Sequence, residues 1–323
     1  MLNISRHRFA NVPTPMAGLA LGIASLGWAW ENVGLFAGGA QLLGAVIAAV
    51  LLLILTVKFV LHPQLLMQDL AHPVVGSVVP TFAMATMVVS KAVSMNVSDQ
   101  LGSGLWLFAI ALHLAFLVTF IWHRLKDFKL HHMVPSWFVP PIGIIVADVA
   151  SPGGAFAPLA QVLLWFGIVC YAVMLPMMLY RLIFCAEVPD AAKPTIAIMA
   201  APASLSLAGY LTVTAEPAPV LVAVLLGIAV LMTALIYLAF IKLLRLPFSP
   251  GYAAFTFPLV IGATALFKVA TLAETLGLDT AAINQLRWMA EGELVIATLV
   301  VSYVALRFAQ NFNPLRKALA ELA

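Results

Sequence analysis

Charged side chains are scarce in this sequence: Asp, Glu, Lys and Arg together make up 9% of its 323 residues. That scarcity excludes a soluble globular domain, whose surface-to-volume ratio demands far more polar surface at this length. The sixteen Lys and Arg lie scattered, without a basic stripe or interleaved aromatics, so the net charge of +3 does not point to nucleic acid. Cysteine is nearly missing. Cys170 and Cys185, in or beside one apolar segment, give neither a metal spacing nor a disulfide that one helix could close. His131 and His132 adjoin in a basic loop near His123, while His62, His72 and His113 are dispersed. None forms an i, i+4 pair within a span or a Glu/His motif, so neither metal nor haem is expected. The chain also has no phosphate-binding loop, no nucleophile constellation and no extramembrane domain large enough for ATP hydrolysis. An enzyme is not expected, and no cofactor is called for.

What the chain does have is apolar sequence: 63% hydrophobic residues and a mean hydropathy of +1.07. A bilayer removes the need for a polar exterior. Runs of spanning length fall at about 13–30, 41–61, 74–95, 102–122, 135–150, 157–180, 195–213, 219–241, 250–272 and 291–310. Ten spans make one all-α transmembrane domain over 1–323. The fifth run is short for a lipid-facing span and needs shelter from its neighbours. Arg6, His7 and Arg8 precede the first run as in a secretory signal, but the stretch from Met16 to Trp30 lacks a small-residue cleavage site, so it reads as a retained span.

Even spans put both termini on one side. That side would hold Arg6, Arg8, Lys58, Arg124, Lys126, Lys129, Arg181, Lys193, Lys242, Arg245, Arg307, Arg316 and Lys317, against Lys91, Lys268 and Arg287 on the other. The bias places both termini in the cytoplasm, in a bacterial-type cytoplasmic (inner) membrane.

Proline marks an internal repeat. Pro15, Pro80, Pro140, Pro202 and Pro258 follow one another at 65, 60, 62 and 56 residues, one helical hairpin per step, each near the start of an odd-numbered span. A proline inside a helix removes a donor and kinks the axis. In lipid the freed carbonyl needs a partner, which favours the protein interior. Five kinked odd helices are therefore expected as an inner ring around a conduit, with the even helices outside facing lipid.

Aligning on those prolines predicts layers of lining residues at helical spacing. The first is Thr14, Val79, Val139, Ala201 and Phe257, and the next is Gly18, Ala83, Gly143, Leu205 and Ile261. Above them come Leu21, Thr86, Val146, Ala208 and Thr264, then Ser25, Ser90, Ala150, Thr212 and Lys268. Phe257 is the one large aromatic in its layer. Gly18 and Gly22 also suit close helix contact. Lys268 lies about 16 Å along the axis from Phe257 on the same face, at an outer mouth where a cation would concentrate anions or snorkel to headgroups. Lys91 and Asp148 fall off that face, in packing or pairing roles. Glu291 and Glu293 fit the N-terminus of the tenth span.

The stretch Phe248-Ser-Pro-Gly-Tyr-Ala-Ala-Phe-Thr-Phe257-Pro258 resembles the ninth helix of the tellurite-resistance/dicarboxylate transporter family. That family includes bacterial TehA-like proteins, fungal malate transporters and plant guard-cell slow anion channels. Length, span count and hairpin repeat also match. The resemblance implies a homotrimer with a pore of proline-kinked odd helices in each subunit, plugged by a ninth-helix phenylalanine. Phe257 is the matching residue; Phe255 is the competing position, about 160° away around the helix.

Three functions follow. An apolar neck with few charges fits a passive channel for small monovalent anions such as chloride or nitrate, gated by Phe257. A proton-coupled C4-dicarboxylate carrier is the alternative, though the layers offer no cationic pair. Export of tellurite or another toxic oxyanion rests on resemblance alone.

The charge asymmetry makes a topological prediction. Single cysteines near 31–40, 96–101, 151–156, 214–219 or 273–290, in a background lacking Cys170 and Cys185, should react with an impermeant thiol reagent added outside. Labelling at 124–133 would reverse the orientation.

Overall fold

A computed structural model describes residues 9–312, which are helical with no strand among them. Arg6, Arg8, Arg316 and Lys317 lie outside the described residues. The main helices are α1 (Met16–Glu31), α2 (Gly39–Leu61), α3 (Pro63–Ala71), α4 (Thr81–Asn96) and α5 (Asp99–Lys126). They continue as α6 (Ala157–Phe184), α7 (Ala201–Val213), α8 (Pro219–Leu243), α9 (Phe257–Thr275) and α10 (Thr280–Asn311).

Eight helical stretches among the described residues are long and apolar enough to cross a membrane. The expected first and fifth spans fall short of that. Helix α1 has 16 residues, about 24 Å of rise against a hydrocarbon core of about 30 Å. Pro135–Val149 is apolar but broken into successive 3-10 and α turns. It is sheltered as its length required: every residue in it but Pro141 and Val149 is buried. The tenth helix starts at Thr280, where the Asp279 side chain accepts from the Ala281 N–H at 3.2 Å. Glu291 and Glu293 are thus mid-helix, and their expected place at its N-terminus is corrected: a capping aspartate outranks the edge of an apolar window.

The five marker prolines do not interrupt continuous α-helices. Pro15 and Pro80 stand at the N-caps of α1 and α4, and Pro202 and Pro258 in the first turns of α7 and α9. Pro140 opens the one-turn helix Val139–Ile142. At a helix start the missing N–H had no intrahelical partner, and the fixed φ suits the first turn. The expected kink is therefore a change of helix type. A separate turn (Val75–Val78) or a 3-10 segment (Pro135–Phe138, Asp190–Ala200, Pro250–Phe255) leads into each of the last four.

Neighbours in sequence pack as pairs: α1 with α2, α4 with α5, the 135–149 segment with α6, α7 with α8, and α9 with α10. The first members also touch in series, α1 on α4, α4 on 135–149, that on α7, α7 on α9, and α9 on α1. Burial follows the same division. The apolar windows of Val75–Asn96, Asp190–Val213 and Pro250–Thr275 are 61, 78 and 89% buried, whereas the other five lie between 28 and 39%.

Broken backbone inside a bilayer needs partners, and α5 supplies them. His113 Nε2 donates to the Pro140 carbonyl at 2.8 Å and Trp106 Nε1 to that of Ala147 at 2.9 Å. A basic residue recurs near the end of each pair's second helix: Lys58, Arg124, Arg181, Lys242 and Arg307. A cation there offsets the helix dipole. Three of them also tie down the chain entering their own hairpin. Arg124 donates to the Ala71 carbonyl, and Arg181 to those of Ala186 (2.7 Å) and His131 (3.1 Å). The Arg307 guanidinium lies 5.0 Å over the Phe248 ring.

Helices α1 and α2 meet at two glycines. A Cβ on Gly27 would stand 2.3 Å from the Ala40 carbonyl oxygen, and one on Gly44 2.8 Å from that of Ile23. Gly27→Val should therefore cost at least about 2 kcal/mol, read as a lowered unfolding temperature in detergent. Gly104→Val, with nothing within 4 Å of its Cβ position, should shift stability by no more than about 0.5 kcal/mol.

Candidate conduction pathway

Two cavities lie along the line where the buried members of the five pairs meet. The first, of about 500 Å3, is lined from all five, at the start of α1, the 74–84 stretch, the 135–149 segment, the 191–205 stretch and residues 249–258. The second, of about 30 Å3, has room for roughly one water and lies between the later turns of those helices. Among the described residues, only Leu205 and Phe257 line both.

Phe257 is held there by its neighbour. Thr256 Oγ1 donates to the Ala253 carbonyl at 2.7 Å and approaches the Gly18 carbonyl at 3.1 Å, fastening the start of α9 to α1. A Cβ on Gly22 would meet Thr256 Oγ1 at 2.4 Å, so Gly22 serves this close approach and lines neither cavity. Phe255 points elsewhere. It is wholly buried, with ring centroids 5.3 Å from Phe240 and 4.7 Å from Tyr252.

Thr14, Gly18, Val139, Gly143, Ala201 and Leu205 line the first cavity, and Ile261 and Thr264 the second. Val79 and Ala83 line neither; both are buried in packing, and Val78, Thr81 and Met84 face the first cavity instead. The register slips because Val75–Val78 is a separate turn ending just before Pro80, so a single helical wheel does not carry through the proline. A sequence wheel started after Pro80 would have found Thr81 and Met84.

Lys268 lines neither cavity, whereas the expectation that Lys91 lies off the pore face is corrected. Thr264 is the last α9 residue on the second cavity, and Lys268 lies one turn beyond it. The lysine that lines this cavity is Lys91, whose Nζ donates to the Ser151 carbonyl at 3.0 Å. Asp148 is wholly buried away from both cavities, its carboxylate oxygens without a hydrogen bond among the described residues. Glu293 sits against α9, 2.6 Å from where a Cβ on Gly262 would stand.

The first cavity contains a contact that the sequence reading missed. Lys58 Nζ donates to Thr14 Oγ1 at 2.9 Å and lies 3.7 Å from Asp69 Oδ2, while Thr14 Oγ1 donates to the same carboxylate. The signal for it was slight: a charge near the end of an apolar span, and an acid on a short polar helix eleven residues later.

Comparison with known proteins gives these cavities a family. The voltage-dependent anion channel family matches residues 12–309. Two uncharacterized transporters of Methanocaldococcus jannaschii are similar as well. One is 27% identical over 65% of this chain and 68% of its own length, the other 26% identical over 62% and 65% respectively. The chain thus spans about two thirds of the length of these relatives.

The register of the 81–84 stretch is open to measurement. In a background without Cys170 and Cys185, Met84→Cys should react with a small thiol reagent admitted to the first cavity, and Ala83→Cys should stay protected. The opposite order would place the helix one residue out.

Proposed function

The chain belongs to the voltage-dependent anion channel family, and on that footing we propose that it is a passive channel for small monovalent anions such as chloride and nitrate, closed by Phe257. Family and relatives make it a multi-pass transporter of anions in general rather than an enzyme; the ion, the mechanism and the gate are our reading. One observation carries it: Phe257, with Leu205, borders both cavities, so its ring stands at their junction. Rotating that ring would join the two spaces, and an apolar constriction can also close by expelling water.

The neck offers no donors to replace an ion's hydration shell. Ions that shed water easily pass more readily through such a neck than strongly hydrated divalent ones. Lys91 on one side raises the local anion concentration, and Lys58 lines the other beside Asp69. The five pairs are read as five tandem hairpins in one domain, with the buried members as the pore wall. We read the protein as a homotrimer in the cytoplasmic membrane with both termini inside. Support for the orientation is the gathering of Lys58, Arg124, Arg181, Lys242 and Arg307 at one end of their helices.

A dicarboxylate carrier remains the second reading, for which Lys91 at the second cavity is a partner for one carboxylate. Tellurite export has no comparable support.

Phe257→Ala should raise chloride conductance of the purified protein in planar bilayers many-fold, because it removes the ring at the neck. Phe255→Ala should change conductance much less. Reversed results would move the gate by two residues, and no effect from either would end the plug reading.

A further inference from the structure

Lys58 differs from the other basic residues that close the hairpins. Arg124 and Arg181 donate to backbone carbonyls and Arg307 covers a ring; Lys58 lines the first cavity, the one cation among the described residues that does. Its side chain is 6% exposed, so the ammonium is largely removed from water and its partners matter.

Three hydroxyls of the wall already commit their protons elsewhere in the protein. Thr81 donates to the Val78 carbonyl at 2.7 Å, Thr195 to that of Ala192 at 2.6 Å, and Thr14 to the Asp69 carboxylate. An anion in this cavity would find those three hydroxyls engaged, leaving Asn11, Ser249 and Lys58 as the other donor-bearing side chains of the wall. Lys58 has three N–H donors, one on Thr14 and one toward Asp69.

Asp69 occupies a position that its own helix disfavours. It lies in the last turn of α3, where the helix dipole opposes a carboxylate. What holds it there is the Thr14 hydroxyl and the Lys58 charge. The carboxylate is 24% exposed, the ammonium 6%, so the acid sits over the cation on the solvent side.

We propose that the Lys58 ammonium is an anion-binding subsite in the first cavity, and that Asp69, tethered by the Thr14 hydroxyl, is its resident occupant, which a free monovalent anion must displace. The inference rests on the anion-conducting reading of the same cavity. It adds that entry is a competition between two anions for one ammonium, with α3 as the arm that carries the resident one. Freed of Asp69, the subsite would hold the passing ion longer; with Lys58 neutral, it would hold none.

Chloride binding can be read without current, from the unfolding temperature of the purified protein in detergent as chloride replaces gluconate at constant ionic strength. Asp69→Asn should lower the half-maximal chloride concentration by about tenfold, the weight of one charge-assisted hydrogen bond. Lys58→Gln added to Asp69→Asn should abolish that gain. Thr14→Val, which keeps both charges but cuts the tether, should act in the direction of Asp69→Asn by a smaller factor; it carries the test if Asp69→Asn does not fold. An unchanged chloride dependence in Asp69→Asn and Thr14→Val, or a gain that survives in the double variant, would overturn the subsite. Lys58-dependent chloride binding without chloride current would overturn the conduction reading and leave the subsite standing; currents with no such binding would do the reverse.

Discussion

In hydrocarbon, a backbone N–H or C=O without a partner costs several kcal/mol, and water cannot supply the missing bond. The described residues respond to that constraint throughout. They are helical, and where the α-helix gives way to 3-10 turns the chain lies deep inside. Pro135–Val149 is almost wholly buried, with carbonyls answered by His113 and Trp106 of α5. Hydroxyls obey the same demand: Thr86, Thr212, Thr264 and Thr298 each donate to the carbonyl four residues back. Pro15, Pro80, Pro202 and Pro258 stand where their absent donor leaves nothing unpaired.

This internal satisfaction also shapes the pathway. A wall whose polar groups bond to their own backbone offers an ion little in place of water. On the proposed channel reading, discrimination then follows from dehydration, and the few exceptions gain weight. Lys58 and Lys91 are those exceptions, one on each side of Phe257. The ring itself is placed by backbone and hydroxyl contacts between α9 and α1, made possible by Gly22.

Much of this was legible in the sequence, for identifiable reasons. Apolar runs locate spans because lipid contact demands them, and the proline steps marked the hairpins because each proline opens a helix. Phe257 emerged from that alignment at a position touching both cavities. The failures are equally physical. Val79 and Ala83 were misplaced because a helical wheel assumes one continuous helix, and the chain changes helix type at Pro80. Glu291 and Glu293 were misplaced because hydropathy marks where lipid begins, while a capping aspartate marks where the helix begins. Lys91 was misplaced off the pore face for the same reason as Val79 and Ala83, since its angle was counted from before Pro80. The Lys58, Thr14 and Asp69 contact joins three separate segments, and no local pattern encodes such a meeting. The recurrence of a basic residue at the close of each hairpin was visible and was read only as orientation.

The central claim is that an uncoupled path for monovalent anions runs past Phe257. Its most direct test is the reversal potential of the purified Phe257→Ala protein in planar bilayers, under opposed chloride and proton gradients. The account predicts that the reversal potential follows the chloride gradient, ignores the proton gradient, and moves little when a divalent anion replaces part of the chloride on one side. A reversal potential that tracks the proton gradient, or turnover no faster than a carrier cycle, would contradict it.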